Sequence, residues 1–399
     1  MIILNPLFFA CATVATAINA RRNQIIADYW CGPTTGGWCS EDPTFADVNP
    51  KVTDIHVSFA MPTSDGTVEF DCGAWVGDSY VECDISSQQT QGKKVLLSIG
   101  GAAFTELSWI FDHSDTFAQS AASVMNEWGF DGVSMDIEHL ETEEQISQYS
   151  SVLTKLRAAI GDDKLLTDAP QCPYIYSGVS GVSGYYNLYI NLINEVGGLV
   201  DYFFVQEYNN WCNEENPDST DYLLRVSSDW VNPDPSNNYN GLVSANQFVM
   251  GVPASADPKT ASSGYFSPAT LQDYLREAQA TYGNQTGAGV WDALGDVQTY
   301  DEKPMFAITD AMADVYSNKQ PSDDTANNET TDDASNDETD AAANDSASGA
   351  ESGLPGWVLP AAGAAGGVFL FAACSAYFCC KRPSSSQEYS ENLLPASNV

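Results

Sequence analysis

Apolar residues recur in two alternating periods along residues 23–318. Short runs rich in β-branched or aromatic residues occupy 24–29, 54–61, 94–100, 130–138, 165–169, 202–206, 248–252 and 288–291. Their length and composition predict strands. Helical periodicity falls between several of them. In 143–160, Ile146, Tyr149, Leu153, Leu156 and Ile160 share one stripe, Thr142 and Gln145 form a capping-box signature, and Gly161 follows as a C-cap. A second helix opens at Ser267-Pro268 and ends near Gly283. Eight strands with intervening helices predict an α/β chain, a (β/α)8 TIM barrel. A doubly wound open sheet is the alternative from pattern alone, although no glycine-rich phosphate loop follows the first strand.

The run 130–138 carries the most chemistry. Val133, Met135 and Ile137 alternate with Ser134, Asp136 and Glu138, so one face is apolar and the other sets two carboxyl groups side by side. Neighbouring carboxylates repel, which separates their proton affinities and leaves one as a donor near neutrality. In a barrel, reactive groups sit at the C-terminal strand ends. Glu138, the stretch from Ser98 through Gly100 and Gly101, the stretch Gln206-Glu207-Tyr208-Asn209, and Trp291 all fall there.

The ends of the chain add an address. An apolar, uncharged stretch at 1–17 precedes the small-residue cleavage options Ala17 and Ala20, the pattern of a signal peptide over 1–20. An uncleaved anchor is the alternative, because Arg21 and Arg22 follow the stretch and no basic residue precedes it. A second apolar stretch at 357–380 spans about 36 Å as a helix, enough for a bilayer. Lys381 and Arg382 follow it, as expected for a cytoplasmic flank. The polar tail 381–399 weighs against a removed lipid-anchor signal. The expected order is therefore signal 1–20, barrel 21–320, linker 321–353, transmembrane helix 354–380 and cytoplasmic tail, placing the barrel outside the cell or in the lumen as a type I protein.

The linker carries ten acids and no Lys or Arg, which predicts a disordered acidic stalk. The whole chain has a formal charge of −39. So acidic a surface excludes nucleic acid as a partner. Sequons at Asn284, Asn328 and Asn344 suit glycosylation of an extracellular body and stalk. Six cysteines in the body (Cys31, Cys39, Cys72, Cys83, Cys172 and Cys212) suit disulfides in a secreted protein, with the pairing left open by spacing. The histidines His56, His113 and His139 are scattered with no metal-ligand spacing, and neither metal nor cofactor is expected.

Taken together, these segments resemble glycoside hydrolase family 18, in particular its class III-like chitinases of plants and fungi. The family's fourth-strand pattern D-G-x-D-x-D-x-E is met by Asp131, Gly132, Asp136 and Glu138, and its third-strand S-x-G-G by Ser98, Gly100 and Gly101. The class III-like branch is matched by 136–139, by Ala169-Pro170-Gln171-Cys172-Pro173, by Gln206 with Tyr208-Asn209-Asn210, and by segments 251–254 and 289–291. The resemblance implies hydrolysis of β-1,4 links between N-acetylglucosamine units of chitin, with retention and with assistance from the substrate's own acetamido group. Glu138 would be the acid/base. Asp136 would orient the acetamido group and Tyr208 would bond its oxygen. Asp131, Tyr29, Phe59, Gly100, Gly101, Gln206, Asn209 and Trp291 would bind substrate, while Trp30, Trp211 and Trp230 are candidates for stacking on further sugars. An endo-β-N-acetylglucosaminidase acting on N-glycans and a catalytically silent sugar-binding protein are the alternatives. The resemblance also implies a Cys172–Cys212 disulfide. For the other four cysteines, local pairs Cys31–Cys39 and Cys72–Cys83 compete with a bridge between the first two strand loops. Ser134 departs from the family, which has an aspartate there; the change predicts an altered pH profile with an unchanged reaction class.

Overall fold

The alternation of apolar runs becomes a closed ring of eight parallel strands in the computed structural model. It describes residues 24–32, 34, 45–76, 79–175, 188–210, 220–231, 242–283, 287–299 and 304–317. These lie in the first of two units, Met1–Asn327 and Asn328–Val399. The strands are β1 (Ile26–Cys31), β2 (Asp54–Pro62), β3 (Lys94–Gly100), β4 (Gly132–Asp136), β5 (Leu165–Asp168), β6 (Tyr202–Gln206), β7 (Phe248–Pro253) and β8 (Gly287–Trp291). Each pairs with its neighbours in chain order, and β1 pairs with both β2 and β8, which closes the barrel. The open doubly wound sheet is thereby excluded. Helices α1 (Ile85–Thr90), α2 (Ser114–Trp128), α3 (Glu143–Ile160), α4 (Leu188–Val196), α5 (Thr220–Val231) and α6 (Pro268–Tyr282) connect successive strands from β2 to β8. Helix α7 (Ala307–Ser317) follows the last.

Local chemistry sets the helix ends. Thr142 Oγ1 accepts the Gln145 N–H at 3.2 Å while Gln145 Oε1 accepts the Thr142 N–H at 3.0 Å, satisfying two orphan donors reciprocally. All five residues of the predicted α3 stripe are buried. Ser267 caps α6 by accepting the Thr270 N–H, with Pro268 in the first turn.

Strand register sorts side chains into two cores. Laterally paired residues share a face, so Ser98, Ser134, Thr167 and Tyr202 point into the barrel, while Leu97, Val133 and Leu166 face the helices. The barrel interior is filled by Ala27, Tyr29, Phe59, Tyr202, Phe204 and Val249 among others. At Gly251 and Gly289 an added Cβ would lie 2.3 and 2.8 Å from the Phe204 ring, so glycine there makes room for that ring. Trp30 and Trp230 are buried in the helix-side core, which corrects their expected role in stacking on sugars. Trp211 lies outside the described residues.

A disulfide joins Cys72 to Cys83, selecting one of the local pairs. Cys31 is buried, and Cys172 is buried and disulfide-bonded. Cys39 and Cys212 lie outside the described residues. So do the signal segment, stalk, predicted transmembrane span and tail, and Asn284, Asn328 and Asn344. Among the described residues no helix is long and apolar enough to cross a membrane.

Asp168 is among the acids buried on the helix side. It pairs laterally with Met135 and accepts the hydroxyl of Tyr149 at 2.7 Å and that of Tyr189. Burial raises its pKa to about 6 despite both donors. A carboxyl raised in the native state costs nothing below about pH 4, where both states are protonated, and disfavours folding above it, where the unfolded chain sheds a proton that the native state retains. The penalty grows as pH rises from about 4 to about 6, a change worth roughly 3 kcal/mol. Asp168→Asn is expected to flatten that part of the stability–pH curve in urea denaturation from pH 4 to 7. At the other end of the sheet, a Cβ on Gly132 would lie 2.2 Å from the Leu165 carbonyl oxygen, a backbone atom that cannot move aside alone. Gly132→Ala should therefore cost about 3 kcal/mol, read from the same denaturation midpoints.

Candidate active site

At the C-terminal end of β4 the two acids meet. Asp136 is the last strand residue and is buried; Glu138 lies two residues on and is partly exposed. Each carboxyl group bears on the proton affinity of the other. Two neighbouring carboxylates repel when both are ionised, which favours one proton between them. Gln206 donates to Asp136 Oδ1 at 3.1 Å, and also to the Ala169 carbonyl at 2.8 Å. Gln171 donates to Glu138 Oε2 at 3.0 Å, and the Tyr174 hydroxyl donates to the Glu138 carbonyl.

Electrostatics follow from this arrangement. Burial, reinforced by the charges of Glu138 and Asp168, holds Asp136 well above the usual carboxylate range. Burial also raises Glu138, against the lowering effect of the Gln171 amide, His139, Gln206 and Asp136. A carboxyl so raised keeps its proton into the range where a leaving oxygen needs one.

The walls come from neighbouring strand ends. Gly100 and Gly101 have φ of +113° and +86°. A Cβ on Gly100 would meet the Asp136 carbonyl oxygen at 2.2 Å, and one on Gly101 the Phe59 ring at 2.8 Å. The glycine pair thus lets β3 pass close beneath the acids. Phe59 and Trp291 have nearly parallel rings with centroids 6.0 Å apart, and the Trp291 indole N–H is fixed by the Thr260 carbonyl at 3.1 Å. Tyr29 packs at 5.9 Å from Trp291. Tyr208 is buried, and its hydroxyl proton is held more tightly than usual by burial first and then by the charges of Asp136 and Glu138. The strand ends thus supply aromatic rings and two neighbouring acids, able to protonate a bound oxygen while an adjacent carboxylate balances positive charge.

Two expected substrate contacts stand elsewhere. Asp131 precedes β4 at its N-terminal end, about 16 Å from Asp136 at about 3.3 Å per residue. It accepts from Lys94 at 2.8 Å, Gln89 at 2.9 Å and the Val95 N–H at 3.0 Å, and so pins β4 to β3 at the floor of the barrel. A five-residue strand between Asp131 and Glu138 puts them at opposite ends, which removes Asp131 from the cleft. Asn209, exposed with φ +56°, spends its side-chain oxygen on the Ser262 N–H and hydroxyl at 2.7 and 2.9 Å, and holds a neighbouring loop.

Gln171 and Tyr174, conversely, were assigned no role from the sequence, yet both grip Glu138. Their position just past the C-terminal end of β5 was the available signal, since every other strand end flanking the acids contributes to the cleft. No local pattern singles out which of the residues there turns inward.

Comparison with known proteins agrees with the geometry. The sequence profile of glycosyl hydrolases family 18 matches residues 32–338. The chain is 28% identical over 316 residues to Chitinase 3 of Candida albicans, covering 71% of this chain and 50% of that protein. It is 28% identical over 302 residues to an endochitinase of Saccharomyces cerevisiae, covering 69% and 48%. With a class III chitinase of Arthroderma benhamiae the identity is again 28%, over 315 residues, covering 72% and 86%. The chain therefore spans about half the length of the two yeast relatives. Among solved structures, a family GH18 chitinase from Chromobacterium violaceum superposes with a TM-score of 0.58 at 21% identity, covering 74% of this chain and 83% of that one. A putative chitinase A from Streptomyces coelicolor gives 0.55 at 23% identity, covering 74% and 98%. These two likenesses speak to the fold. The family match spans well over half of the chain: the chain belongs to glycosyl hydrolases family 18.

Proposed function

We propose that this protein is an extracellular, membrane-anchored chitinase that cleaves β-1,4 links between N-acetylglucosamine units with retention. The observation that carries the reading is the Asp136–Glu138 pair at the C-terminal end of β4, each acid bonded by a glutamine amide and raised by burial. Glu138 protonates the glycosidic oxygen, since it is the partly exposed member whose proton affinity burial has raised. Asp136, deeper and held by Gln206, takes the facing position toward the sugar's acetamido group. As Glu138 loses its proton to the leaving group, Asp136 stabilises the acetamido nitrogen and the acetamido oxygen closes on the anomeric carbon. Water, activated by Glu138, then opens that ring. The Tyr208 hydroxyl keeps its proton and can donate to the acetamido oxygen. Trp291 floors the sugar. The chitinase names of the three fungal relatives support the substrate class. The anchor rests on the sequence pattern at 354–380, with the barrel outside the cell.

The purified full-length protein, incubated with chitin oligosaccharides and in parallel with an N-glycoprotein, should release β-anomeric chitobiose-type products from the former, read by mass spectrometry and anomer-resolving NMR. Release of glycans from the latter, or binding without turnover, would overturn the assignment. Glu138→Gln is expected to lower kcat by about 100-fold or more. Gln171→Ala removes a donor that lowers the Glu138 pKa, so the alkaline limb of the kcat–pH curve should move to higher pH.

A further inference from the structure

Below the acid pair, the barrel interior holds a chain of hydrogen bonds that the reaction outlined above does not use. His56, fully buried on β2, places Nδ1 2.8 Å from Ser134 Oγ and Nε2 2.8 Å from the Tyr202 hydroxyl. Tyr202 in turn donates to Asp54 Oδ1 at 3.4 Å, and Ser134 Oγ lies 3.3 Å from the Tyr29 hydroxyl. The His56 ring stacks on Tyr29 with centroids 4.4 Å apart and planes 18° from parallel. This imidazole therefore lies next to Ser134, two residues before Asp136 on the same strand face, at the position where the resemblance implies an aspartate.

Donor and acceptor inventory fixes the direction of the chain. A carboxylate at Asp54 only accepts, so the Tyr202 O–H points down and its oxygen accepts from above. The neutral imidazole then carries its hydrogen on Nε2 and accepts at Nδ1 from the Ser134 O–H. Ser134 Oγ in turn accepts the Tyr29 O–H. A proton added to His56 reverses the upper half. Nδ1–H now donates to Ser134, the Ser134 O–H turns to the Tyr29 oxygen, and the Tyr29 O–H swings free of Ser134. Asp136 stands two residues beyond Ser134 on the same strand face; burial first, and then its charge, make the Tyr29 hydroxyl hold its proton more tightly. A donor turned toward Asp136 favours its ionised form and leaves the shared proton on Glu138.

We propose that His56 is a positioning residue for the glycosidase reaction, an ionisable group beneath the catalytic pair that works through Ser134 and Tyr29 to decide which carboxyl holds the proton. The proposal rests on the chitinase reading. Other titratable groups facing this interior are Tyr29 on β1, Asp54 on β2, Asp136 and Glu138 at the end of β4, and Tyr202 and Tyr208 at β6. Lys94 on β3, lateral to Asp54, adds a charge at the floor of the barrel, where it pairs with Asp131, and the inward positions Leu96, Thr167, Val249 and Gly289 bring none.

The test uses the full-length protein and a soluble chitin oligosaccharide. His56→Asn keeps a polar group at the site but does not titrate. It should lower kcat about tenfold at the optimum with little change in KM, and remove one ionisation from the kcat–pH profile. Ser134→Asp in that background should restore an ionisation, because it returns a titrating group to the interior. A folded His56→Asn protein whose profile superimposes on that of the wild type would overturn the proposal and leave the chitinase reading intact. Wild-type inactivity on every chitin oligosaccharide would overturn the chitinase reading itself. Nitrogen-15 NMR of histidine-labelled wild-type protein decides independently of turnover, with His113→Gln and His139→Gln used for assignment. His56 should be the Nε2–H tautomer at pH 8, with a titration midpoint moved by Tyr29→Phe. The Nδ1–H tautomer, or a midpoint indifferent to that change, would overturn the proposal.

Discussion

The burial of Asp136 and Glu138 two residues apart at the end of β4 is the constraint to which the surrounding structure answers. Removing two carboxyl groups from water is costly unless they are neutralised or well bonded, and here one proton and a set of amide donors meet that cost together. Gln206 reaches from β6 and Gln171 from the end of β5, each bonding one acid, while Tyr174 fixes the backbone that carries Glu138. The glycines at the end of β3 exist in the same service: any side chain at Gly100 would collide with the carbonyl of Asp136. Strand closure brings these groups from four different segments of the chain to within bonding distance.

The barrel interior is unusually polar below that pair. A purely apolar filling would suit packing, but His56, Ser134, Tyr202 and Asp54 form a satisfied series. Buried polar groups are tolerated when each has a partner, and a series of this kind holds its members in defined orientations. The interior can therefore carry proton information toward the cleft without exposing an isolated charge. The acid Asp168 follows the opposite solution: it lies across the sheet among helix tyrosines, raised and bonded, where it adds to the field on Asp136 without entering the cleft.

Much of this was legible in the residues alone. The period-two alternation of 130–138 assigned Val133, Met135 and Ile137 to the helix side and Ser134 and Asp136 to the interior, and the register agrees. The capping box at Thr142 and the Ser267-Pro268 start were local, and both stand where local chemistry put them. Asp131 was misplaced because a motif compresses two ends of a strand into one pattern, whereas a strand extends about 3.3 Å per residue and separates them. Trp30 and Trp230 were misjudged because exposure is a property of neighbours distant in sequence.

The sequence by itself determined the strand and helix periods and the placing of two carboxyl groups on one face of a strand end, since each depends on residues within one or two turns of one another. Only the tertiary structure decided that Glu138 is gripped by Gln171 and Tyr174, that Cys72 pairs with Cys83, and that His56 sits against Ser134. The last two partners are 78 residues apart in the chain. Their meeting depends on closure of the sheet, and no local propensity encodes which inward side chains become neighbours once eight strands share one interior.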